Sequence, residues 1–444
     1  MRRLTVLFVG SLLVVAGGGS SDGDATTAPE SSPATEPAVT TGATDPEPTD
    51  PPATEPADTE PASTQAPATD PPATDPPASD PPATDPPATD LAAFAPIGTG
   101  EYDVGVATIT ITDPARERPL TTDVWFPLAA DSQGDPHRYT FVTGDYYESP
   151  RAISATPDLI SPDGPFPLVV YSHGSGGQRY IASDYTETIA SHGYIVVAPD
   201  HTGNTAIERV SGVEIDRSRV ALDRPLDVIA VIDAMLNPES TETVGFVGSV
   251  DPEQVAVTGH SFGGFTTYAV VSGYENELGS SPADDRIDAI IPLAPAVGDG
   301  TSEQSLLSDE ALSTVDVPQL VMVGTDDVTT PVVPNVTRAF DLTTSDPLYR
   351  VELVAGEHQS FTDVCDYLDF FPTLDPPPSE AVIAAIDAVA GEGCSPDDMP
   401  IERVKELTNT FAVSFLDSIF AGGEMVTPDD TEIPEDVIFD SKVS

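Results

Sequence analysis

The chain has 444 residues and a formal net charge of −57 at pH 7, from 74 acidic and 17 basic side chains. A surface of that sign repels the phosphates of nucleic acids and anionic lipid headgroups, which argues against nucleic-acid binding. Its two cysteines are too few for a disulfide-dense scaffold or a cysteine-rich zinc site.

The first 19 residues have the composition of an export signal. Arg2 and Arg3 precede an apolar run over residues 4–15, and small residues follow it. The run is too short to span a bilayer as a helix, which needs about 20 residues. We therefore predict that residues 1–19 direct secretion and that the protein has no membrane span. Gly18 stands where a bacterial lipoprotein would carry its lipid-bearing cysteine, so lipid anchoring is not indicated.

Residues 20–95 are predicted to form a disordered stalk. Residues 21–95 hold 18 of the 47 prolines and no Lys or Arg, and residues 68–87 repeat Ala-Thr/Ser-Asp-Pro-Pro four times. Such a segment cannot bury enough apolar surface to offset the entropy of ordering it. Proline repeats favour extended spacers, so the stalk would hold a domain away from a cell surface. An unstructured tail without a role is the alternative.

From residue 96 onwards, short apolar runs alternate with longer amphipathic ones. The runs at residues 104–111 and 120–126 predict an opening antiparallel pair. Fully apolar runs follow at residues 168–171, 194–198, 255–257, 289–293 and 320–323, and the run at 349–353, which also holds Arg350 and Glu352, continues the series. Helices are predicted between them, among them 180–191 and 220–236. Continuous apolar strands alternating with helices indicate an α/β fold with a mainly parallel central sheet covered on both faces. We predict this domain over residues 96–423 and an acidic tail over residues 424–444.

The most informative motif is Gly-His-Ser-Phe-Gly-Gly at residues 259–264. It follows a predicted strand and opens a helical run, which is the context in which G-x-S-x-G forms a nucleophile elbow. The sharp turn crowds the residues two before and two after the serine, so glycine is needed at both places. Ser261 is therefore the predicted nucleophile, beside a helix N-terminus that favours negative charge.

A serine hydroxyl needs a base, and the base needs an orienting carboxylate. On this kind of sheet the chain order is Ser, then Asp or Glu, then His. His358 is the only histidine after Ser261, so it is the predicted base. Asp326 and Asp327 compete for the orienting role, and we prefer Asp327 because a turn three residues after Gly324 would direct it inward.

A tetrahedral intermediate also needs hydrogen-bond donors for its oxyanion. The backbone N–H of Phe262, directly after the serine, would supply one. The second is expected from the loop after an earlier strand, which reads Ser-His-Gly-Ser-Gly-Gly at residues 172–177. We assign it to the N–H of Ser175.

Several further side chains are candidates for substrate contacts. Phe262, Phe265 and Phe361 could form an apolar wall for the acyl group, with plain core packing as the alternative. His201 follows the predicted strand 194–198 and could line the pocket, with a strand-end residue as the alternative. None of these assignments requires a metal or an organic cofactor.

Residues 171–174, 189–194 and 259–264 resemble the α/β-hydrolase superfamily, and more narrowly its platelet-activating-factor acetylhydrolase and dienelactone-hydrolase-like group, which includes bacterial polyester hydrolases. The resemblance covers about residues 104–365. It implies an α/β-hydrolase fold, and the segment 297–317 is too short for the inserted cap of some relatives, so we expect an open pocket. It also implies the roles assigned above to the serine, the histidine and the two oxyanion donors.

Two departures from these relatives bear on the site. Plasma acetylhydrolases carry their acid after the strand that ends here at Leu293, but Ala-Pro-Ala follows it in this chain. The acid therefore moves to Asp327, as in bacterial relatives. Polyester hydrolases carry an aromatic residue at the positions of Ser175 and Ala296; both are small here, which disfavours a polyester substrate and makes Ala296 a candidate substrate contact.

Cys365 and Cys394 are expected to form a disulfide, because export exposes them to oxidising conditions. Such a bond would brace the loop that carries His358. Two buried thiols are the alternative.

These observations predict a secreted serine carboxylic-ester hydrolase that acts on short- to medium-chain acyl esters or phospholipid-type esters. A polyester hydrolase is the alternative within the same class, and an inactive surface-displayed binding module on the same fold is the alternative from another class. The expected partners are small-molecule, lipid or polymer esters, and we expect a monomer.

Overall fold

The computed structural model describes residues 91–237, 239–302 and 305–443. The predicted export signal and the predicted stalk up to residue 90 lie outside these ranges. Of the helices in the described ranges, none combines the length and the apolar character needed to cross a membrane.

The strands carry most of the architecture. In chain order they are β1 Ala92–Ala93, β2 Val104–Asp113, β3 Arg118–Pro127, β4 Pro136–Thr140, β5 Tyr146–Ser154, β6 Phe166–Ser172, β7 Ile195–Pro199, β8 Val250–His260, β9 Tyr274–Asn276, β10 Gly279–Ser281, β11 Ala289–Leu293, β12 Gln319–Gly324, β13 Leu348–Leu353, β14 Thr431–Glu432 and β15 Val437–Lys442. Within the described residues, eleven of them form one sheet in the order β15-β13-β12-β11-β8-β6-β7-β3-β2-β5-β4.

Helices connect the strands and cover the sheet. They are α1 Ser183–Ser191, α2 Ala206–Val210, α3 Arg217–Leu236, α4 Phe262–Ser272, α5 Asp309–Ser313, α6 Arg338–Leu342, α7 Val364–Phe370, α8 Glu380–Ala390 and α9 Ile401–Leu416. The long helix α3 begins where the Asp216 side chain accepts a hydrogen bond from the N–H of Arg219, an N-cap that the apolar spacing alone did not locate.

The sheet has a parallel centre, and most pairs toward its margins are antiparallel, although β2 and β5 pair in parallel. Strands β13, β12, β11, β8, β6 and β7 pair in parallel, whereas β7 with β3, β3 with β2, and β13 with β15 pair antiparallel. Parallel neighbours are joined by helices that lie on the faces, so the central strands are buried on both sides. The predicted α/β-hydrolase fold is confirmed in this arrangement.

The apolar runs divide between two cores, one on each face of the sheet. In β6, Leu168 and Val170 belong to the core under α3 and α4, whereas Val169 and Tyr171 belong to the core under α1 and α9. Successive strand residues point to opposite faces, and here both faces are covered. This is why the run contains no polar residue.

The domain extends beyond both predicted boundaries. Strand β15, within the predicted acidic tail, pairs antiparallel with β13 along its whole length, and its Phe439 packs against Tyr349 with ring centroids 5.9 Å apart. At the other end, Ala92–Ala93 pairs with Thr431–Glu432. The sequence analysis missed β15 because residues 424–444 are rich in acidic side chains. A strand at the edge of a sheet can carry charged residues and needs apolar ones only where it contacts the core.

The parallel centre determines where functional side chains collect. The carboxyl ends of parallel strands lie along the same edge of a sheet. Strands β6, β8, β12 and β13 end at Ser172, His260, Gly324 and Leu353, and each predicted catalytic residue follows one of the last three within five residues.

Candidate active site

Ser261 lies on a strained turn between β8 and α4. Its backbone φ is 57° and ψ is −115°, a conformation that costs energy for a residue with a side chain. A Cβ on Gly263 would collide with the carbonyl oxygen of Ser172, and a Cβ on Gly259 would meet the same oxygen at 2.6 Å. Both glycines are therefore required, because the elbow passes directly against the end of β6.

Three side chains form one hydrogen-bonded line at this edge. Nε2 of His358 is 2.8 Å from Oγ of Ser261, and Nδ1 of His358 is 2.8 Å from Oδ2 of Asp327. A carboxylate only accepts hydrogen bonds, so the proton of the neutral imidazole is on Nδ1. Nε2 is then free to accept the hydroxyl proton of Ser261.

The structure distinguishes the two candidate acids. Asp327 is buried and faces the histidine, whereas Asp326 is exposed and bonds to the hydroxyl of Thr325. Burial raises the pKa of Asp327, but the hydrogen bonds from His358 and Thr330 outweigh it and hold that pKa below the ordinary value. Asp327 is therefore the carboxylate that the fold presents to the imidazole.

Thr330 supports this carboxylate and was missed by sequence reasoning. Its N–H is 2.6 Å from Oδ1 of Asp327, and its hydroxyl is 2.7 Å from Oδ2. The signal was available in part: an aspartate followed three residues later by a threonine is a common local turn in which the later N–H is donated to the carboxylate.

His260 supports the turn that carries His358. The ring of His260 is buried, and its Nε2 donates to the carbonyl oxygen of His358 at 2.8 Å. Burial, and then the neighbouring His358, lowers the pKa of His260 to about 3, so this imidazole is neutral near pH 7. Its sequence position, directly before the serine, suggested only a strand end.

The two predicted oxyanion donors lie on either side of Ser261. Phe262 is the first residue of α4, so its N–H has no partner within the helix. The loop after β6 lies against the serine: a Cβ on Gly174 would be 3.5 Å from Cβ of Ser261. Ser175 follows Gly174 and is exposed, with its hydroxyl 3.2 Å from Nδ2 of Asn204.

Two predicted substrate contacts do not fit the structure. His201 is fully buried, with Nε2 2.9 Å from Oγ of Ser172 and Nδ1 3.0 Å from Oδ2 of Asp227. Phe265 is also fully buried and packs in the core against Phe262, with ring centroids 5.1 Å apart. Neither side chain has a surface that a substrate could contact, because helix packing and the end of β7 cover them.

Ala296 and Phe361, two further candidates, lie in different surroundings. Ala296 is half-buried, and its N–H donates to the carbonyl oxygen of Ser261 at 3.0 Å. Phe361 is in the core on the α1 side, with its ring centroid 6.5 Å from that of His260. Phe361 therefore packs behind the turn that carries His358, whereas Ala296 borders Ser261.

Cys365 and Cys394 form a disulfide with their Cα atoms 5.5 Å apart, which confirms the predicted bond. The segment before Cys394 contacts the turn of His358, because the N–H of Gln359 donates to the carbonyl oxygen of Glu392 at 2.7 Å. The disulfide thus joins α7 to a segment that packs on the turn that carries His358.

The described residues contain no cluster of three or more His, Cys, Asp or Glu side chains that could hold a metal ion. The large cavity beside the C-terminal end of α4, lined by Tyr274, Ser281 and Leu307 among others, does not include Ser261. Ser261 instead lies at the carboxyl end of the central strand β8. Between β11 and β12, where a cap would be inserted, the described residues form only the short helix α5.

Comparison with known proteins shows that this chain is similar to esterases. Residues 139–215 match the family model of platelet-activating factor acetylhydrolase, isoform II. The platelet-activating factor acetylhydrolase of Cavia porcellus is 29% identical over an alignment of 139 residues, with a coverage of 24% of this chain and 32% of that protein. The same enzyme of Canis lupus familiaris is 27% identical over 258 residues, 44% of this chain and 58% of that protein.

A plant protein and a solved structure extend the comparison. Chlorophyllase-1 of Arabidopsis thaliana is 28% identical over 153 residues, 34% of this chain and 43% of that protein. The chain thus matches about a third to three fifths of the length of these curated relatives. The structure of a ferulic acid esterase from Streptomyces cinnamoneus superimposes with a TM-score of 0.57 at 22% identity, covering 79% of this chain and 99% of that one. The predicted resemblance to an esterase group of the α/β-hydrolase superfamily is confirmed.

Proposed function

We propose that this chain, which resembles the α/β-hydrolase esterase group in sequence and in fold, is a secreted serine carboxylic-ester hydrolase. In this proposal Ser261 is the nucleophile, His358 the general base and acid, and Asp327 the residue that orients and stabilises the imidazole. The N–H groups of Ser175 and Phe262 bind the oxyanion.

The observation that carries the proposal is the unbroken line from hydroxyl to carboxylate. Both of its hydrogen bonds are 2.8 Å long, and only Ser261 at its outer end is accessible, because His358 and Asp327 are buried. A base within hydrogen-bond reach of the hydroxyl and itself oriented by a third group is the arrangement that activates a serine.

The reaction follows from this geometry in two halves. Ser261 attacks the ester carbonyl as Nε2 of His358 takes its proton, and the imidazolium that forms is stabilised by Asp327. The proton then passes to the leaving alcohol, and an acyl-serine remains. Water attacks the acyl group with His358 again acting as base, which releases the acid and restores Ser261.

The surroundings of the serine support an acyl ester of modest size. The residues that border it, Ser175 and Ala296, are small, and the segment between β11 and β12 is short. The names of the relatives, acetylhydrolase and ferulic acid esterase, are consistent with acyl esters as a class. We propose short- to medium-chain acyl esters, including phospholipid-type esters, as substrates.

A p-nitrophenyl ester series from C2 to C12 tests the activity. We expect turnover that is greatest for short to medium chains and that falls to background in Ser261→Ala. Ser272→Ala is the matched control, because its hydroxyl bonds only to backbone carbonyls at the far end of α4; it should keep full activity. A fluorophosphonate probe should label Ser261 alone, and hydrolysis retained in Ser261→Ala would reject the mechanism.

Secretion is part of the proposal. The disulfide supports it, because such bonds persist in oxidising compartments, and the basic and then apolar start of the chain is consistent with it. We expect the expressed full chain to appear in the culture medium with its first residues removed. N-terminal sequencing of the secreted protein checks this, and an unprocessed chain found only in the cytosol would contradict it.

A further inference from the structure

Arg224, on α3, is a fully buried arginine directly behind the predicted oxyanion loop. Its Nη2 is 3.0 Å from the carbonyl oxygen of Gly174, and its Nη1 donates to the carbonyl oxygen of His173. Nε and Nη2 both donate to Oδ1 of Asn204, at 3.0 and 2.6 Å. The guanidinium also lies 3.4 Å from Oγ of Ser172 and 3.4 Å from Nδ1 of His173, and none of these contacts in the described residues is to a carboxylate.

A buried cation with neutral partners is costly to a fold. Burial lowers the pKa of Arg224 to about 9, which leaves the group charged near pH 7. The other arginines of this region, Arg116 and Arg118, form ion pairs with carboxylates. Asp227 opposes the lowering of the pKa of Arg224 through space, but the groups that the guanidinium contacts directly are neutral.

The peptide between Gly174 and Ser175 is one of these neutral groups. A trans peptide is planar, so its C=O and the following N–H point in opposite directions. The carbonyl oxygen of Gly174 is held by Arg224, by Nδ1 of His173 at 2.7 Å and by the N–H of Gly177 at 3.1 Å. Fixing that oxygen toward the interior aims the N–H of Ser175 away from it, toward the side on which a substrate would meet Ser261.

Asn204 fixes the outer part of the loop after β6 by further hydrogen bonds. While its Oδ1 accepts from the guanidinium, its Nδ2 donates to the hydroxyl of Ser175 at 3.2 Å. Its carbonyl oxygen also accepts from the N–H of Gly176 at 3.2 Å. The loop residue that carries one oxyanion donor is thus fixed from both sides.

The guanidinium also contacts the residue that carries the second donor. Cζ of Arg224 lies 5.2 Å from the ring centroid of Phe262, within the range of a cation–π contact. One side chain therefore touches both residues whose N–H groups would bind the oxyanion.

We propose that Arg224 is the positioning residue of the oxyanion hole: with Asn204 it fixes the Gly174–Ser175 peptide beside Ser261, and its charge favours the negative oxygen of the tetrahedral intermediate. This inference rests on the proposed function. Arg224 does not contact the substrate. Its effect is expected in the transition state and not in the binding of the ester, because the oxyanion exists only after attack.

Steady-state kinetics of Arg224→Met and Arg224→Lys with a short p-nitrophenyl ester test the proposal. For Arg224→Met we expect kcat to fall by about 10²–10³-fold, as for loss of one oxyanion donor, with KM changed by less than about threefold. A boronic acid that forms a tetrahedral adduct with the serine should lose affinity by a similar factor. Arg224→Lys keeps the charge but not the forked geometry, so it should recover part of kcat.

Arg151→Met is the matched control, because Arg151 is a part-buried arginine paired with Asp184 and Glu187 on α1; it should keep kcat and boronate affinity. If Arg224→Met does not fold, Asn204→Ala and Arg224→Lys replace it, and each should lower kcat at least about fivefold without a matching change in KM. Folded variants with wild-type kcat and boronate affinity would overturn the proposal. Absence of Ser261-dependent turnover in the wild-type protein would instead reject the proposed function.

Discussion

Two Ser–His–Asp lines lie side by side at the carboxyl edge of the described sheet. The accessible line consists of Ser261, His358 and Asp327. The buried line consists of Ser172, His201 and Asp227, with 2.9 Å between hydroxyl and Nε2 and 3.0 Å between Nδ1 and carboxylate. Since each carboxylate accepts from Nδ1, both imidazoles hold the same tautomer. The hydrogen-bond pattern alone therefore does not distinguish a reactive serine from a structural one.

Access and backbone geometry separate the two lines. All three side chains of the buried line are 0% exposed, and Ser172 is the last residue of a regular strand. Ser261 is partly accessible and sits at a positive φ on the elbow. Of the two lines, only the accessible one has its hydroxyl outside the core, next to the N–H of Phe262, which has no partner within its helix.

Charge compensation separates them further. Oδ1 of Asp227 accepts from Arg116 at 2.6 Å and from Arg118 at 2.7 Å. Burial, and then nearby arginines, holds the pKa of His201 well below its ordinary value. The described partners of the Asp327 carboxylate are the backbone and hydroxyl of Thr330 and His358, so its charge remains available to stabilise an imidazolium. The two lines therefore have similar hydrogen-bond distances but differ in the charge that their carboxylate leaves available to the imidazole.

Substitution of the histidine in each line, His358 or His201, should give the largest difference in kcat between the two lines. His358→Ala removes the base, and we expect kcat to fall by about 10⁴–10⁶-fold. His201→Ala leaves Ser172 and Asp227 without their shared partner in the interior, so it should cost about 2–3 kcal/mol of unfolding free energy while kcat falls less than tenfold. Ester hydrolysis and urea unfolding of both variants measure this, and a similar loss of kcat in the two would erase the distinction.

Substitution of the carboxylate in each line, Asp327 or Asp227, should also separate an effect on kcat from an effect on stability. Asp327→Asn should lower kcat by about 10⁴-fold, because the amide favours the wrong imidazole tautomer. The exposed neighbour provides the control: Asp326→Asn should change kcat by less than twofold. Asp227→Asn should instead lower the unfolding free energy by about 3–5 kcal/mol, since it leaves buried arginine charge unpaired. An active Asp327→Asn enzyme would mean that another group orients His358.

Loss of the disulfide should disturb the surroundings of the accessible line before it disturbs the rest of the domain. Replacing both cysteines, Cys365→Ser with Cys394→Ser, should lower the unfolding free energy by about 3–4 kcal/mol in the chain-entropy model. Trp125, the one tryptophan, is buried in the core, so its fluorescence reports unfolding of the domain. Because Cys394 follows the segment that contacts the turn of His358, the double variant should lose activity at a lower urea concentration than that at which the fluorescence of Trp125 changes. Coincident transitions in the double variant would show that the bond does not support the turn.

The buried line should make stability depend on pH. The folded pKa of His201 lies below the unfolded value of about 6.5, so the unfolded chain binds the extra proton and stability is lost as the pH falls below that value. The same holds for His260, whose pKa of about 3 implies a loss of about 2 kcal/mol at pH 5. Urea unfolding at pH 7.5 and 5.0 checks this, and His201→Gln should show a smaller loss between the two than the wild type.

Much of this site could be predicted from the sequence because its decisive motif is local. The elbow is a strand, a turn and a helix in contiguous residues, and the two glycines report the steric demand of that turn directly. The chain order of Ser261, Asp327 and His358 follows from strands that each end at the same edge. The apolar runs of the central parallel strands could also be recognised from the sequence, since strands that are buried on both faces are rich in apolar residues at successive positions.

What only the tertiary structure decided are the contacts between distant parts of the chain. Burial of Asp327 and exposure of Asp326, the enclosure of His201 and Phe265, and the entry of the acidic C-terminal segment into the sheet as β15 depend on which surfaces meet. Arg224 lies 50 residues from the carbonyl of Gly174 that it binds. Local sequence encodes the turn that exposes a serine, but the burial, charge pairing and hydrogen-bond partners that distinguish the Ser–His–Asp line that we propose to be catalytic from the buried one arise only when the sheet assembles.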